Sequence, residues 1–174
     1  AVLGGLTFSA KPTYASPTAQ QAFYQAGTYG ALTVTTSGSG CGTFLAYGGI
    51  TGLWLGDGNT SESCLFNISP AVSRTSVKVA MTAHTCVAAG CEKVRFRLNG
   101  TDYNVLSSDV DNTTPSGGAR LVVLPSGEVE GSPLLGGDGR GTVSFSSGPA
   151  AVTSLEISHI IVSGTPVGTI YLIY

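Results

Sequence analysis

The chain has 174 residues, of which 42% are hydrophobic and only 10% charged, so it is long enough for one well-packed domain and too short for two. Gly, Ser and Thr fill 65 positions, a composition that favours an all-β fold with many turns over a helical protein. A net charge of −2 argues against a general nucleic-acid binder, and the absence of any run of about 18 apolar residues predicts no membrane span.

One short helix is predicted near the start of the chain. Ser16 can cap it, Pro17 suits the first helical position, and good helix formers follow until Gly27. The helix is therefore expected from about Pro17 to Ala26, with Phe23 docked on the core.

Short runs rich in Val, Ile, Leu, Tyr, Phe and Thr follow, interrupted every 8 to 12 residues or so by Gly, Asn, Asp or Pro, a pattern typical of β-sandwiches. The clearest alternation is KVRFRL at 93–98, with aliphatic and aromatic residues facing the core and basic residues facing out. VTSLEISH repeats the alternation, and the apolar TIYLIY is predicted to be locked inside a sheet. We expect a jelly-roll-like antiparallel β-sandwich over residues 1–174, with an immunoglobulin-like sandwich as the alternative.

The four cysteines predict two disulfides, and proximity favours Cys41 with Cys64 and Cys86 with Cys91. The even count and the low charge suit an exported domain, and a start without Met is expected of a processed secretory protein. Zinc is the competing interpretation of the second pair, because His84 lies two residues before Cys86. Secretion with two disulfides is preferred.

Four of the five asparagines begin an Asn-x-Ser/Thr triplet without an intervening proline. Such triplets are acceptors for N-glycosylation on secreted proteins, although asparagine, serine and threonine also gather in turns. The candidate glycosylation sites are Asn59, Asn67, Asn99 and Asn112.

Catalytic motifs are absent from the sequence: it has no GxSxG elbow, no Gly-Lys pair for a phosphate-binding loop, and only two histidines. His159 lies in a predicted strand, where a hydrogen-bonded histidine of the sheet is expected rather than a base. His84 lies beside Cys86 in a predicted loop, where a catalytic role is disfavoured. The sequence predicts no enzyme and no cofactor.

Calcium is the one ion that the sequence suggests. The loop DVDNTT spaces the side-chain oxygens of Asp109, Asp111 and Asn112 in a manner that hard cations accept, although the later positions of an EF-hand loop are not matched. A solvated turn is the preferred interpretation of this loop.

A sugar site needs an aromatic platform beside polar hydrogen-bonding groups, because a pyranose has an apolar face and a polar rim. Two stretches offer this combination, although Trp54 also suits the core. The candidate ligand-binding residues are Trp54, Asp57, Asn59, Asp102 and Tyr103.

The sequence thus favours a non-catalytic extracellular binding or adhesion module, whose expected partner is carbohydrate or an extracellular protein. The alternative is a self-assembling structural subunit of an extracellular filament, coat or virion fibre, because low charge and few lysines are typical of buried subunit surfaces. The basic row of Lys93, Arg95 and Arg97 is either an interaction face or a solvated strand surface.

Overall fold

The computed structural model describes residues 2–3, 6–7, 22–47, 50–57, 60–84, 91–113, 119–131, 139–164 and 168–174. These ranges contain short 3-10 turns at Arg74–Ser76 and Ser107–Asp109, and strands make up most of the rest, so the all-β prediction is confirmed. In chain order the strands are β1 (Val2–Leu3), β2 (Leu6–Thr7), β3 (Gly27–Tyr29), β4 (Leu32–Ser37), β5 (Phe44–Tyr47), β6 (Ile50–Leu55), β7 (Glu62–Ser73), β8 (Lys78–His84), β9 (Glu92–Leu98), β10 (Thr101–Tyr103), β11 (Val110–Asp111), β12 (Ala119–Val123), β13 (Val129–Gly131), β14 (Gly139–Ser144), β15 (Ala151–Ile161) and β16 (Thr169–Ile173).

One sheet connects nearly all of these strands. β1 and β2 form a separate pair, and the rest follow the order β3-β4-β7-β15-β9-β13-β12-β14-β8-β16-β6-β5, with β10 added to β9 and β11 to β14. We call β3 to β13 of this order the β15 half and β14 to β5 the β16 half; β12 joins the two halves. β12 pairs in parallel with β14, and every other strand pairing of the described residues is antiparallel.

The sheet curls, so that its two halves face each other across one core. The hydroxyl of Tyr171 on β16 lies 2.7 Å from a ring nitrogen of His159 on β15, although several strands separate β16 from β15 in the sheet order. Buried side chains from both halves belong to the same hydrophobic cluster. This contact defines the inward side of each half.

β9 and β15 show the expected alternation. Along β9 every second residue is buried, and the three basic side chains between them are partly exposed. On β15, Leu155 and Ile157 are fully buried and pair with Leu98 and Phe96 of β9. Period-two patterning therefore located the core face of both strands correctly.

β16 is enclosed on both edges and both faces. It pairs with β6 on one side and β8 on the other, and all five of its residues are buried. The prediction that TIYLIY is locked inside a sheet is confirmed.

The second half of the predicted N-terminal helix is not helical. Phe23 forms a β-bridge with Ile173, with backbone N–H to O distances of 2.7 and 2.9 Å, and a bend follows it. Residues 17–21 lie outside the described residues. Phe23 does dock on the core as expected, because it is fully buried and its ring centre lies 5.9 Å from that of Phe66. Pairing with β16 thus outweighs the local helix signals at residues 22–26.

The disulfide between Cys41 and Cys64 is confirmed, with the two Cα atoms 5.1 Å apart. It ties the connection between β4 and β5 to the start of β7. Cys91 is also disulfide-bonded, which removes it as a thiolate ligand for zinc, whereas Cys86 lies outside the described residues. None of the helical turns described here is long enough to cross a membrane.

Candidate functional site

Trp54 lies on the outer face of the β16 half. Its neighbour Leu53 is fully buried and pairs with Tyr171, whose hydroxyl points inward, so Trp54 points to the opposite side. Trp54 is partly buried against the core cluster, and Asp57, in the turn after β6, is exposed. Asn59 lies outside the described residues. An aromatic ring and a carboxylate are thus close in the chain at one end of β6.

Asp102 and Tyr103 lie in a different part of the molecule. Asp102 pairs with Arg97 on the outer face of the β15 half, opposite to the face that carries Trp54. Tyr103 is buried; its hydroxyl donates to Asp109 at 2.7 Å and accepts from the backbone N–H of Ser146 at 3.0 Å. Trp54 and Asp102 therefore lie on different outer faces, whereas the ring of Tyr103 is buried and offers no platform to solvent.

The loop considered for calcium uses its polar side chains internally. Asp109 is buried, and its Oδ2 accepts from Tyr103 and from the N–H of Leu106 at 2.9 Å. Asp111 is exposed and accepts from the N–H two residues later at 2.8 Å, and Asn112 bonds to the backbone of β12. In the described part of the chain, no three His, Cys, Asp or Glu side chains form a group that could hold a metal. Calcium at this loop stays a prediction.

Two of the sequon asparagines have structural roles. Asn99 adopts a positive φ of 50°, its amide donates to a β15 carbonyl at 2.9 Å, and its oxygen accepts from a β15 N–H at 2.8 Å. Asn112 accepts from the backbone of β12 at 2.7 Å. Asn67 is exposed on β7, and Asn59 lies outside the described residues. Of the three described sequon asparagines, Asn99 and Asn112 therefore bond to the backbone of a neighbouring strand.

The core contains a polar chain that the sequence analysis did not predict. Glu92, His159 and Tyr171 are all fully buried; the Nε2 of His159 lies 2.7 Å from the Oε2 of Glu92, and its Nδ1 lies 2.7 Å from the Tyr171 hydroxyl. Tyr171 can donate to one ring nitrogen and Glu92 can accept from the other, so the three groups form one hydrogen-bonded chain. Burial, and then the charge of Glu92, raises the pKa of Tyr171 well above its ordinary value, which keeps that proton on the hydroxyl.

Gly56 lies directly over His159, and Gly168 packs against Gly56. Gly56 has a φ of 85°, and a Cβ at this position would lie 2.6 Å from the imidazole Cδ2. Gly168, with a φ of 81°, lies between Gly56 and Trp54, where a Cβ would meet the backbone of β6. Only glycine combines this backbone conformation with so close an approach. The turn beside Trp54 therefore packs directly against the buried His159.

His159 matches its expectation as a hydrogen-bonded histidine of the sheet, since both ring nitrogens have partners. Its distant partners explain why the polar chain was missed: Glu92 is 67 residues away in sequence. The local signal was an acidic residue at an inward position of the alternating run in β9. The side chain of His84, the other histidine, is not among those described.

The outward face of β9 carries the second polar cluster. Lys93 and Arg95 both contact the carboxylate of Glu128, with 2.8 Å between the Nζ of Lys93 and Oε2. Burial alone would raise the pKa of Glu128, but hydrogen bonds from Lys93, Arg95 and Ser126 outweigh it and hold that pKa below its ordinary value.

Arg97 completes this outward cluster. It pairs with Asp102 and lies 3.5 Å from Glu156. The hydrogen bond from Arg97 lowers the pKa of Asp102. All three basic side chains of β9 thus have acidic partners within the chain, which weakens their interpretation as a face for an anionic partner.

Comparison with known proteins gave no match to this chain. No protein-family model, no curated protein and no solved structure matches the chain. The function of the protein is therefore inferred from the geometry of the chain itself.

Proposed function

We propose that the protein is a non-catalytic extracellular binding module for neutral carbohydrate, built as a jelly-roll-like β-sandwich. The proposed site is the outer end of β6, with Trp54 as the aromatic platform and Asp57 as the hydrogen-bonding group. The observation that carries the proposal is that this end of β6 combines a partly buried indole, on the side opposite to Leu53, with an exposed carboxylate three residues later.

The chemistry of the two side chains suits a sugar. The partly exposed indole can pack against the C–H face of a pyranose, and an ionised carboxylate accepts hydrogen bonds from its hydroxyls. Asn59 follows Asp57 by two residues in the sequence and adds an amide of the type that sugar sites use. Asp102, in contrast, already has Arg97 as a partner.

The local scaffold is rigid, which favours recognition. Gly56 and Gly168 pack the turn after β6 onto His159, and the backbone N–H of Gly56 donates to Glu62 at 2.9 Å. The disulfide anchors the connection that leads into β5. A preformed site loses less conformational entropy when it binds a ligand.

A binding role without catalysis is supported by the state of His159. It is fully buried, and both ring nitrogens are engaged, so it presents no nitrogen to a substrate. A disulfide inside the fold is typical of proteins outside the reducing cytosol, which supports an extracellular location.

A glycan array followed by calorimetry tests the proposal, with the Asp57→Ala and Trp54→Phe variants compared with Asp102→Ala. Loss of a hydrogen bond to a charged group costs about 1.5–3 kcal/mol, so Asp57→Ala should weaken binding of a neutral glycan roughly ten- to a hundredfold. Asp102→Ala, which changes an exposed acid on the opposite face, should leave the affinity unchanged. Absence of glycan binding, or equal losses in the Asp57 and Asp102 variants, would contradict the proposal.

A further inference from the structure

β5 exposes apolar side chains at the end of the sheet. Among the described strands it is the last in the sheet order, with β6 as its neighbour, and all four of its residues are exposed. Phe44 and Leu45 are 39% and 38% exposed, and Tyr47 is exposed further. Large apolar side chains on a terminal strand form a template for pairing with another strand.

The surroundings of β5 lack the usual protection against such pairing. Natural edge strands carry lysines, other charges or prolines that prevent association between chains. Here no Asp, Glu, Lys or Arg occurs between Lys11 and Asp57, and β5 itself contains no proline. The sequence FLAY thus meets no charge, either its own or that of a neighbour on β6.

We propose that β5 pairs antiparallel with β5 of a second copy of this chain and extends the sheet across a twofold axis. A twofold axis perpendicular to the sheet keeps the outer faces of the two copies on the same side. Each residue of β5 therefore lies opposite a residue of the other β5 that points to the same face. We place the axis beside Leu45, so that Leu45 lies directly opposite Leu45 of the second copy. Such cross-strand apolar pairs are the stabilising units of antiparallel sheets.

The second copy is the occupant that the charges favour. An uncharged apolar strand complements another uncharged apolar strand, and a copy of β5 satisfies this condition without any further requirement. The net charge of −2 on each chain opposes the approach of two copies only weakly. A charged peptide would instead lose hydration at β5 without gaining an ion pair.

The length of β5 limits the strength of this contact. Four residues span about 13 Å. A contact of this length buries much less than the roughly 800 Å² per partner that is typical of stable interfaces. We therefore expect a reversible dimer with a Kd of about 0.1–1 mM. Such a contact becomes persistent when chains are concentrated or arrayed, as the structural-subunit hypothesis requires. It does not depend on glycan binding.

Sedimentation velocity from about 10 µM to 1 mM tests the contact with Leu45→Lys, Leu45→Glu and an equimolar mixture of the two. Each variant alone should remain monomeric at concentrations where the wild type dimerises, with Kd raised at least tenfold, because like charges then face each other. The mixture should recover dimerisation, because it pairs opposite charges across the axis. Leu106→Lys, a matched control at a leucine that is 50% exposed away from β5, should dimerise like the wild type.

Circular dichroism first establishes that each variant is folded, and Ala46→Lys serves as a second probe if Leu45→Lys is not. A wild type that stays monomeric at 1 mM, or a Leu106→Lys variant that loses dimerisation as fully as Leu45→Lys, would overturn the inference. So would a mixture that stays monomeric. Glycan binding measured on folded Leu45→Lys separates the two proposals, because it should persist whether or not the dimer forms.

Discussion

The two faces of β9 carry polar clusters in opposite environments. Inward, Glu92 meets His159 and Tyr171 without any exposure to solvent; outward, Lys93 and Arg95 share Glu128 while remaining partly exposed. The inward groups are shielded from solvent, whereas Lys93 and Arg95 can be solvated if they lose their partner, although Glu128 itself is buried. Similar contacts on one strand should therefore differ severalfold in their contribution to stability.

The largest effect is expected for His159→Leu. The substitution removes the partner of the Glu92 Oε2 atom and leaves an acidic side chain buried in an apolar core. Breaking a buried pair in this way costs about 3–5 kcal/mol of unfolding free energy. Urea or thermal denaturation measures the change.

The double variant Glu92→Leu/His159→Leu distinguishes loss of the pair from loss of packing. Replacing both members removes the buried charge, so the double variant should be more stable than His159→Leu. If the double variant is the less stable of the two, the inward cluster contributes through packing alone, and the contrast between the two faces of β9 fails.

A smaller effect is expected for Tyr171→Phe, which removes only the hydroxyl that donates to His159. We expect a loss of about 1–2 kcal/mol at neutral pH. The raised pKa of Tyr171 means that the unfolded chain releases this proton first, so the stability from this group is complete below about pH 10 and falls as the pH rises further.

Denaturation of Tyr171→Phe between pH 8 and 11 checks this sign. The wild type should lose stability more steeply than the variant above pH 10, by up to about 1.4 kcal/mol per pH unit. Parallel profiles for the two proteins would show that the Tyr171 hydroxyl is not held in the protonated form by the folded core.

The smallest effect is expected on the outward face, for Glu128→Gln. Because Lys93 and Arg95 are partly exposed, and because glutamine keeps a hydrogen-bond acceptor at this buried position, the loss at neutral pH should stay below about 1 kcal/mol. The lowered pKa of Glu128 places its contribution above about pH 4.5, and this contribution disappears as the pH falls through the folded-state value.

Denaturation from pH 7 to pH 2 therefore should show a smaller acid-induced loss for Glu128→Gln than for the wild type. Asp102→Asn is the matched comparison: Arg97 also lowers the pKa of Asp102, but this carboxylate is exposed, so the acid-induced loss should change less than in Glu128→Gln. An acid loss that is unchanged in Glu128→Gln would show that the outward cluster does not contribute through its charges.

Alternation along the chain predicted the strands and their core faces, because a period of two is a local property. It identified β9 and β15, the apolar run TIYLIY indicated the enclosed β16, and the proximity of the cysteines identified the Cys41–Cys64 pair. Jelly-roll connectivity remains a proposal, since strand order depends on pairings between distant segments that the local pattern does not encode.

The site was harder to predict for the same reason. Trp54 and Tyr103 carry similar sequence contexts, an aromatic ring beside acidic and amide residues. The fold places the first on an outer face and buries the second against Asp109, a difference decided by tertiary packing. The helix signals near Phe23 were likewise overridden by a bridge to Ile173, 150 residues away.

The junction at β12 gives the curled sheet a point of mechanical weakness. In the described part of the chain, β12 meets β14 through two parallel residue pairs, at Ala119 and Arg120, whereas β15 pairs with β7 and β9 along most of its length. Tension or thermal opening should therefore separate the halves at this junction first, while the β15 half keeps its amide protons longest in hydrogen exchange. A break there would unroll the sheet and leave most of its strands paired.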